Sequence, residues 1–149
     1  MSDENLHELF QIMTRRFGLL NKNCCGAGGH DISLIQSQIL YEIDHQYKPS
    51  MQQVAESLGT DITTFSRQVQ SLIRLNLVNK VADPDDKRIS VLSLTTEGQY
   101  VARSIDQQIN GFLDEVFSHM SEFEQETVIR SIKLLNGVMA KSNNCCKSI

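Results

Sequence analysis

Tryptophan is absent from this 149-residue chain, and the aromatic complement is six phenylalanines and three tyrosines. So few rings provide no stacking platform for single-stranded nucleic acid. No apolar run approaches the roughly 18 residues that a membrane span needs. The opening residues MSDENLHELF lack the basic start and apolar stretch of a secretory signal, so a cytoplasmic protein with no membrane partner is expected. The motifs of the common enzyme classes are missing too: there is no H-E-x-x-H and no G-x-S-x-G. Gly26-Ala27-Gly28-Gly29 follows a helical pattern rather than a strand, which is the wrong context for a nucleotide-binding loop. No catalytic residues are therefore assigned, and an enzyme is not expected. Positive charge is also short. The net charge is −4, so bulk charge does not announce a polyanionic partner. It is uneven, however: residues 61–90 hold five basic and four acidic side chains, whereas the remainder holds nine and fourteen.

The composition is 40% hydrophobic and 21% charged, enough apolar material for a core. Its spacing defines the elements. Leu6, Phe10, Met13, Phe17 and Leu20 recur at helical intervals, predicting a helix over 3–22. Three glycines among residues 26–29 then predict a loop. A second helix is expected over 33–46, with Ile35, Ile39 and Ile43 on one side. Ser50 caps a short helix over 51–58 that carries Val54, Ala55 and Leu58 and stops at Gly59. Thr60 or Asp61 caps the next helix, which runs to about residue 75 and turns Ile62, Phe65, Val69, Leu72 and Ile73 inward. The period then drops to two over 78–81 and 89–94, around the polar turn Asp83-Pro84-Asp85-Asp86-Lys87, which reads as a hairpin. Thr95 or Thr96 caps a long helix reaching about residue 120, with Val101, Ile105, Ile109, Phe112 and Val116 on one face. Ser121 and Glu124 form a capping-box pattern ahead of a last helix ending near Lys141.

The fold class is thus mainly α with a small β-hairpin wing. The short helix, glycine turn and following helix over 50–75 make a helix-turn-helix, whose second helix enters the major groove of duplex DNA. Its outward residues Thr63, Thr64, Ser66, Arg67, Gln70 and Arg74 are donors and acceptors suited to phosphates and base edges. Lys87 and Arg88 sit at the hairpin tip, where they can reach phosphate or a narrow minor groove, and Asp86 can orient Arg88 through a charge-assisted pair. Any amphipathic helix has a polar face, so the hairpin placed directly after it is the more telling feature. The outer helices carry apolar stripes too long for so small a centre to cover, which argues for a dimer. Three regions are expected: dimerisation over 1–32, a winged helix-turn-helix over 33–98 and dimerisation again over 99–149.

The segment Asp86-Lys87-Arg88, five residues, then Leu94-Thr95-Thr96-Glu97-Gly98 resembles the wing signature of the MarR family of bacterial regulators, D-x-R followed by L-T-x-x-G. The resemblance implies a homodimer whose winged domains read a palindromic operator, with repression relieved by an effector. It assigns Arg88 to the minor groove, Asp86 as its partner, and Ser66, Arg67 and Gln70 to the recognition helix. It also offers a small phenolic or lipophilic effector, since many relatives bind phenolic anions. A winged-helix module that binds protein is the competing reading.

The four cysteines form two vicinal pairs, Cys24-Cys25 and Cys145-Cys146. Neither has the spacing of a zinc ribbon or a dithiol redox motif. In a reducing compartment they are free thiols. All lie in loop or tail positions, so they are candidate ligands for a soft metal or metalloid ion, or targets of an oxidant, with His30 as an added nitrogen ligand. On this reading the ion is an effector, and no cofactor is required. His7, His45 and His119 are scattered and read as surface or packing residues.

Overall fold

The computed structural model describes residues 4–24, 26–27 and 29–142. The elements in chain order are α1 (Leu6–Cys24), β1 (Gly26–Ala27), β2 (His30–Asp31), α2 (Leu34–His45), α3 (Met51–Leu58), α4 (Ile62–Arg74), β3 (Val78–Ala82), β4 (Ser90–Leu94), α5 (Thr96–Ser118) and α6 (Glu122–Lys141). None of the described helices is long and apolar enough to cross a membrane. The chain divides into two compact units, residues 1–110 and 111–149.

Helix starts are written into the sequence. Ser33, Ser50 and Ser121 each accept a hydrogen bond from the backbone N–H three residues on, and Gln36, Gln53 and Glu124 reach back to the cap, completing three capping boxes. Glu124 is held below the ordinary carboxylate pKa by these Ser121 hydrogen bonds, that of the backbone N–H first. Asp61 caps α4 through Oδ2, which accepts from the Thr64 amide at 3.0 Å. Gly59 ends α3 in the left-handed region (φ 65°), a conformation that glycine adopts at little cost.

The core of the first unit is built where the amphipathic faces meet. Ile39 and Leu40 of α2, Val54 of α3, Phe65 and Leu72 of α4, Leu77, Leu92 and Val101 are all fully buried. The β3–β4 hairpin pairs antiparallel from Val78↔Leu94 to Ala82↔Ser90. It is also tied backward: the Leu92 amide donates to the Pro49 carbonyl at 2.8 Å, and Ser50 bridges Val91. The wing is therefore stitched to the start of α3 as well as to the end of α4.

The passage from α4 to the wing to α5 turns on one junction. Asn76 takes a left-handed conformation (φ 61°). Thr95 Oγ1 donates to the Asn76 carbonyl at 2.8 Å and accepts from the Gly98 amide at 2.8 Å, capping α5. The Thr95 amide donates to the Leu77 carbonyl at 3.0 Å. Gly98 packs directly on that carbonyl, leaving no room for a Cβ. This accounts physically for the L-T-x-x-G pattern: the threonine joins two backbone segments, and the glycine lets them touch.

In the second unit, Gln125 Nε2 donates to the carbonyls of Phe117 (2.8 Å) and Met120 (3.1 Å), closing the turn between α5 and α6. No residue of α6 is buried.

The structure departs from the expected elements at three points. Residues 26–31, expected to be a loop, hold a minimal hairpin pairing Gly26↔Asp31 and Ala27↔His30. Glycines that cannot sustain a helix can close a tight turn, and Gly29 does so at φ 81°. Helix α1 runs on to Cys24, two residues past its expected end. Ile62, expected to face inward, is 53% exposed. It is the first residue of α4 and lies ahead of the buried positions Phe65, Val69 and Leu72.

Candidate nucleic-acid interface and an adjoining cavity

Helix α4 buries Phe65, Val69 and Leu72 and leaves Thr63, Thr64, Ser66, Arg67, Gln70 and Arg74 at least partly exposed. The polar face is continuous because the apolar residues recur every three or four positions and leave the other positions outward. Asp61 stands at the N-terminal end of this face. Its pKa is lowered, first by hydrogen bonding to the Thr64 side chain, then by the Thr64 amide, with a smaller contribution from the Arg67 charge. The helix thus offers one guanidinium near its middle and one fixed negative charge at its tip.

The wing presents a second polar group. Arg88 Nε and Nη2 donate to Asp86 Oδ1 and Oδ2, both at 3.1 Å, and the Arg88 amide donates to Oδ1 at 3.1 Å. The pair is bidentate, and the Arg88 side chain is still 91% exposed. Asp86 therefore fixes the direction of Arg88 without hiding it. Lys87 beside it is exposed. Asp83 shapes the turn instead, since its Oδ1 accepts from the Asp85 amide at 2.8 Å.

Hydrogen bonding to the Arg88 side chain, then to its amide, lowers the Asp86 pKa. A depressed carboxyl keeps the clamp intact at every pH above the ordinary carboxylate value and loses it only as pH falls through the lowered one. An acid titration of the Asp86 carboxyl carbon by NMR is expected to give a midpoint below the ordinary range, shifting upward in Arg88→Ala. An unchanged midpoint in that variant would mean that the pair does not persist in solution.

The sites assigned from the sequence fall into two sets. The α4 and wing residues all project from one helix-turn-helix and hairpin assembly. Among the cysteines, Cys24 closes α1, while Cys25, Cys145 and Cys146 lie outside the described residues. His30 Nε2 lies 3.6 Å from Glu97 Oε1 at the start of α5. No group of three or more His, Cys, Asp or Glu side chains able to hold a metal occurs among the described residues.

The structure adds a feature that periodicity did not reveal. A cavity of about 300 Å³ lies in the first unit, walled by Phe17 of α1, Tyr41 and Glu42 of α2, Leu58 of α3, and Ile105 and Asp106 of α5. Gln46 Nε2 donates to Glu42 Oε2 at 2.6 Å and also to Ser57 Oγ of α3 at 3.2 Å, linking the cavity wall to the helix-turn-helix. Glu42 and Asp106 are each chain neighbours of a buried isoleucine, Ile43 and Ile105, which places both acids at the margin of the core.

Comparison with known proteins agrees with this architecture. The uncharacterized HTH-type transcriptional regulator YxaD of Bacillus subtilis is 26% identical over 98 residues, 66% of this chain and 68% of its own. Among solved structures, Streptococcus pneumoniae FabT in complex with DNA has a TM-score of 0.82 at 19% identity, covering 91% of this chain and 96% of that one. The PcaV regulator of Streptomyces coelicolor in complex with its natural ligand has a TM-score of 0.71 at 25% identity, covering 92% and 98%. Residues 30–89, which run from β2 through the helix-turn-helix to the wing tip, match the model of the MarR family. By that match residues 30–89 are similar to the MarR family, within a fold shared with these solved structures along most of the chain.

Proposed function

We propose that the chain is a DNA-binding transcriptional regulator, acting as a homodimeric repressor that an effector releases from a palindromic operator. The observation that carries this reading is Arg88, clamped by Asp86 yet almost fully exposed at the wing tip. An arginine held outward and pre-oriented suits a narrow, electronegative minor groove. Helix α4 supplies the major-groove contacts, with Arg67 and Gln70 for base edges and Thr63, Thr64, Ser66 and Arg74 for bases or the flanking phosphates. FabT, of the same fold, was solved with DNA bound.

The dimer is supported by exposed apolar residues on α1 and α6. Leu6 and Met13 of α1 and Leu134 and Val138 of α6 are each more than half exposed. A 20-residue helix with no buried side chain does not hold its fold by propensity alone. A second copy covers these stripes and sets the spacing of two recognition helices at about one DNA turn, roughly 34 Å.

For the effector, the cavity beside α3 favours a small lipophilic molecule, because the Glu42–Gln46–Ser57 chain connects it to the helix-turn-helix. Capture of a soft metal, a metalloid or an oxidant by the cysteines is a separate route. Exchange of Cys24 and Cys25 for serine tests it by comparing DNA release under arsenite or peroxide.

The deciding experiment is gel retardation of the DNA upstream of the protein's own gene. The wild type is expected to retard it, with affinity falling steeply as salt rises. Arg67→Ala and Arg88→Ala are each expected to weaken binding about tenfold to a hundredfold. Retention of full affinity by both variants would defeat the assignment.

A further inference from the structure

We propose that the cavity selects a lipophilic cation over an anion of the same size. The inference rests on the effector reading above and adds the charge of the ligand. Among the described residues the walls contain two carboxylates, Glu42 and Asp106, and no lysine, arginine or histidine. Neither acid has a cationic partner among the described residues. Glu42 accepts a hydrogen bond from the neutral amide of Gln46, and Asp106 makes no side-chain hydrogen bond or ion pair among the described residues. Both are only partly exposed, so water and salt screen them less than surface charges.

The rest of the lining suits the same ligand. Phe17 and Tyr41 contribute aromatic rings, whose faces attract a cation. Leu58, Ile105 and Ile109 supply apolar contact. The volume accommodates a single-ring or compact two-ring molecule. A phenolate or carboxylate would enter against two negative charges that no described cation offsets, whereas an ammonium or amidinium group would neutralise them. A singly charged, aromatic or branched amine fits these walls.

Isothermal titration of the intact homodimer with benzyltriethylammonium, 4-tert-butylbenzamide and 4-tert-butylbenzoate tests the inference, since the three probes are similar in size and differ in charge. The cation is expected to bind at least about tenfold tighter than the carboxylate, with the neutral amide between them. Glu42→Gln combined with Asp106→Asn is expected to erase that order, with an unchanged circular dichroism spectrum showing that the variant is folded. Tighter binding of the carboxylate, a cation preference that survives the double variant, or no binding of any probe would overturn it. If the protein retards its upstream DNA but shows no cation preference, only this inference fails. If it does not retard that DNA, the regulator reading fails first.

Discussion

Gly98→Ala is expected to disable folding of the winged region. A Cβ at this position would overlap the Leu77 carbonyl oxygen and lie 2.9 Å from its carbon. The obstacle is backbone, so no rotamer change relieves it. Leu77 is itself fully buried, and its carbonyl accepts from the Thr95 amide, so pushing it aside also opens the Thr95 bridge between Asn76 and α5. Overpacking of this kind costs about 3 kcal/mol or more. The expected result is a variant that is either insoluble or melts well below wild type by circular dichroism. Gly59→Ala provides the contrast. Its Cβ meets nothing within 4 Å and only the left-handed backbone is penalised, at about 1 kcal/mol. Equal melting temperatures for Gly98→Ala and the wild type would show that the two backbones do not make this contact.

Phe65→Ala is expected to have the largest effect of any single core truncation. Phe65 is the largest fully buried side chain and anchors the inner face of α4. Removing a buried phenyl ring costs about 3–5 kcal/mol, from lost burial and the cavity left behind. For a domain of this size each kcal/mol lowers the melting temperature by about 2–4 °C, so a fall of about 6–20 °C is expected. Arg67→Ala, two positions along the same helix, is expected to leave the melting temperature nearly unchanged and to weaken DNA binding. The pair of measurements separates the two faces of α4. A DNA defect in Arg67→Ala accompanied by an equal thermal defect would mean that the arginine acts through the fold rather than through contact.

The sequence made the order of elements and most of the core legible because both are local properties. Ser50, Asp61 and Ser121 cap helices through hydrogen bonds spanning three residues, and such signals survive without knowledge of the tertiary fold. Val69 and Leu72 could be assigned inward from spacing alone. Ile62 could not, because the same spacing continues past the end of the surface that covers it. The hairpin at residues 26–31 was hidden for a related reason: glycines rule out a helix but do not say what replaces it. The polar faces of α4 and the wing were legible as candidates because they are contiguous in the chain. The cavity was not, since its walls come from four helices separated by up to ninety-two positions, Phe17 to Ile109, and no periodicity records an empty volume.

The stitch from Leu92 to Pro49 has a mechanical consequence. A wing hanging only from the end of α4 would swing on its own. Fastened at both ends of the helix-turn-helix, the wing is constrained to move with α3 and α4, so the tip that carries Arg88 keeps its offset from the polar face of α4.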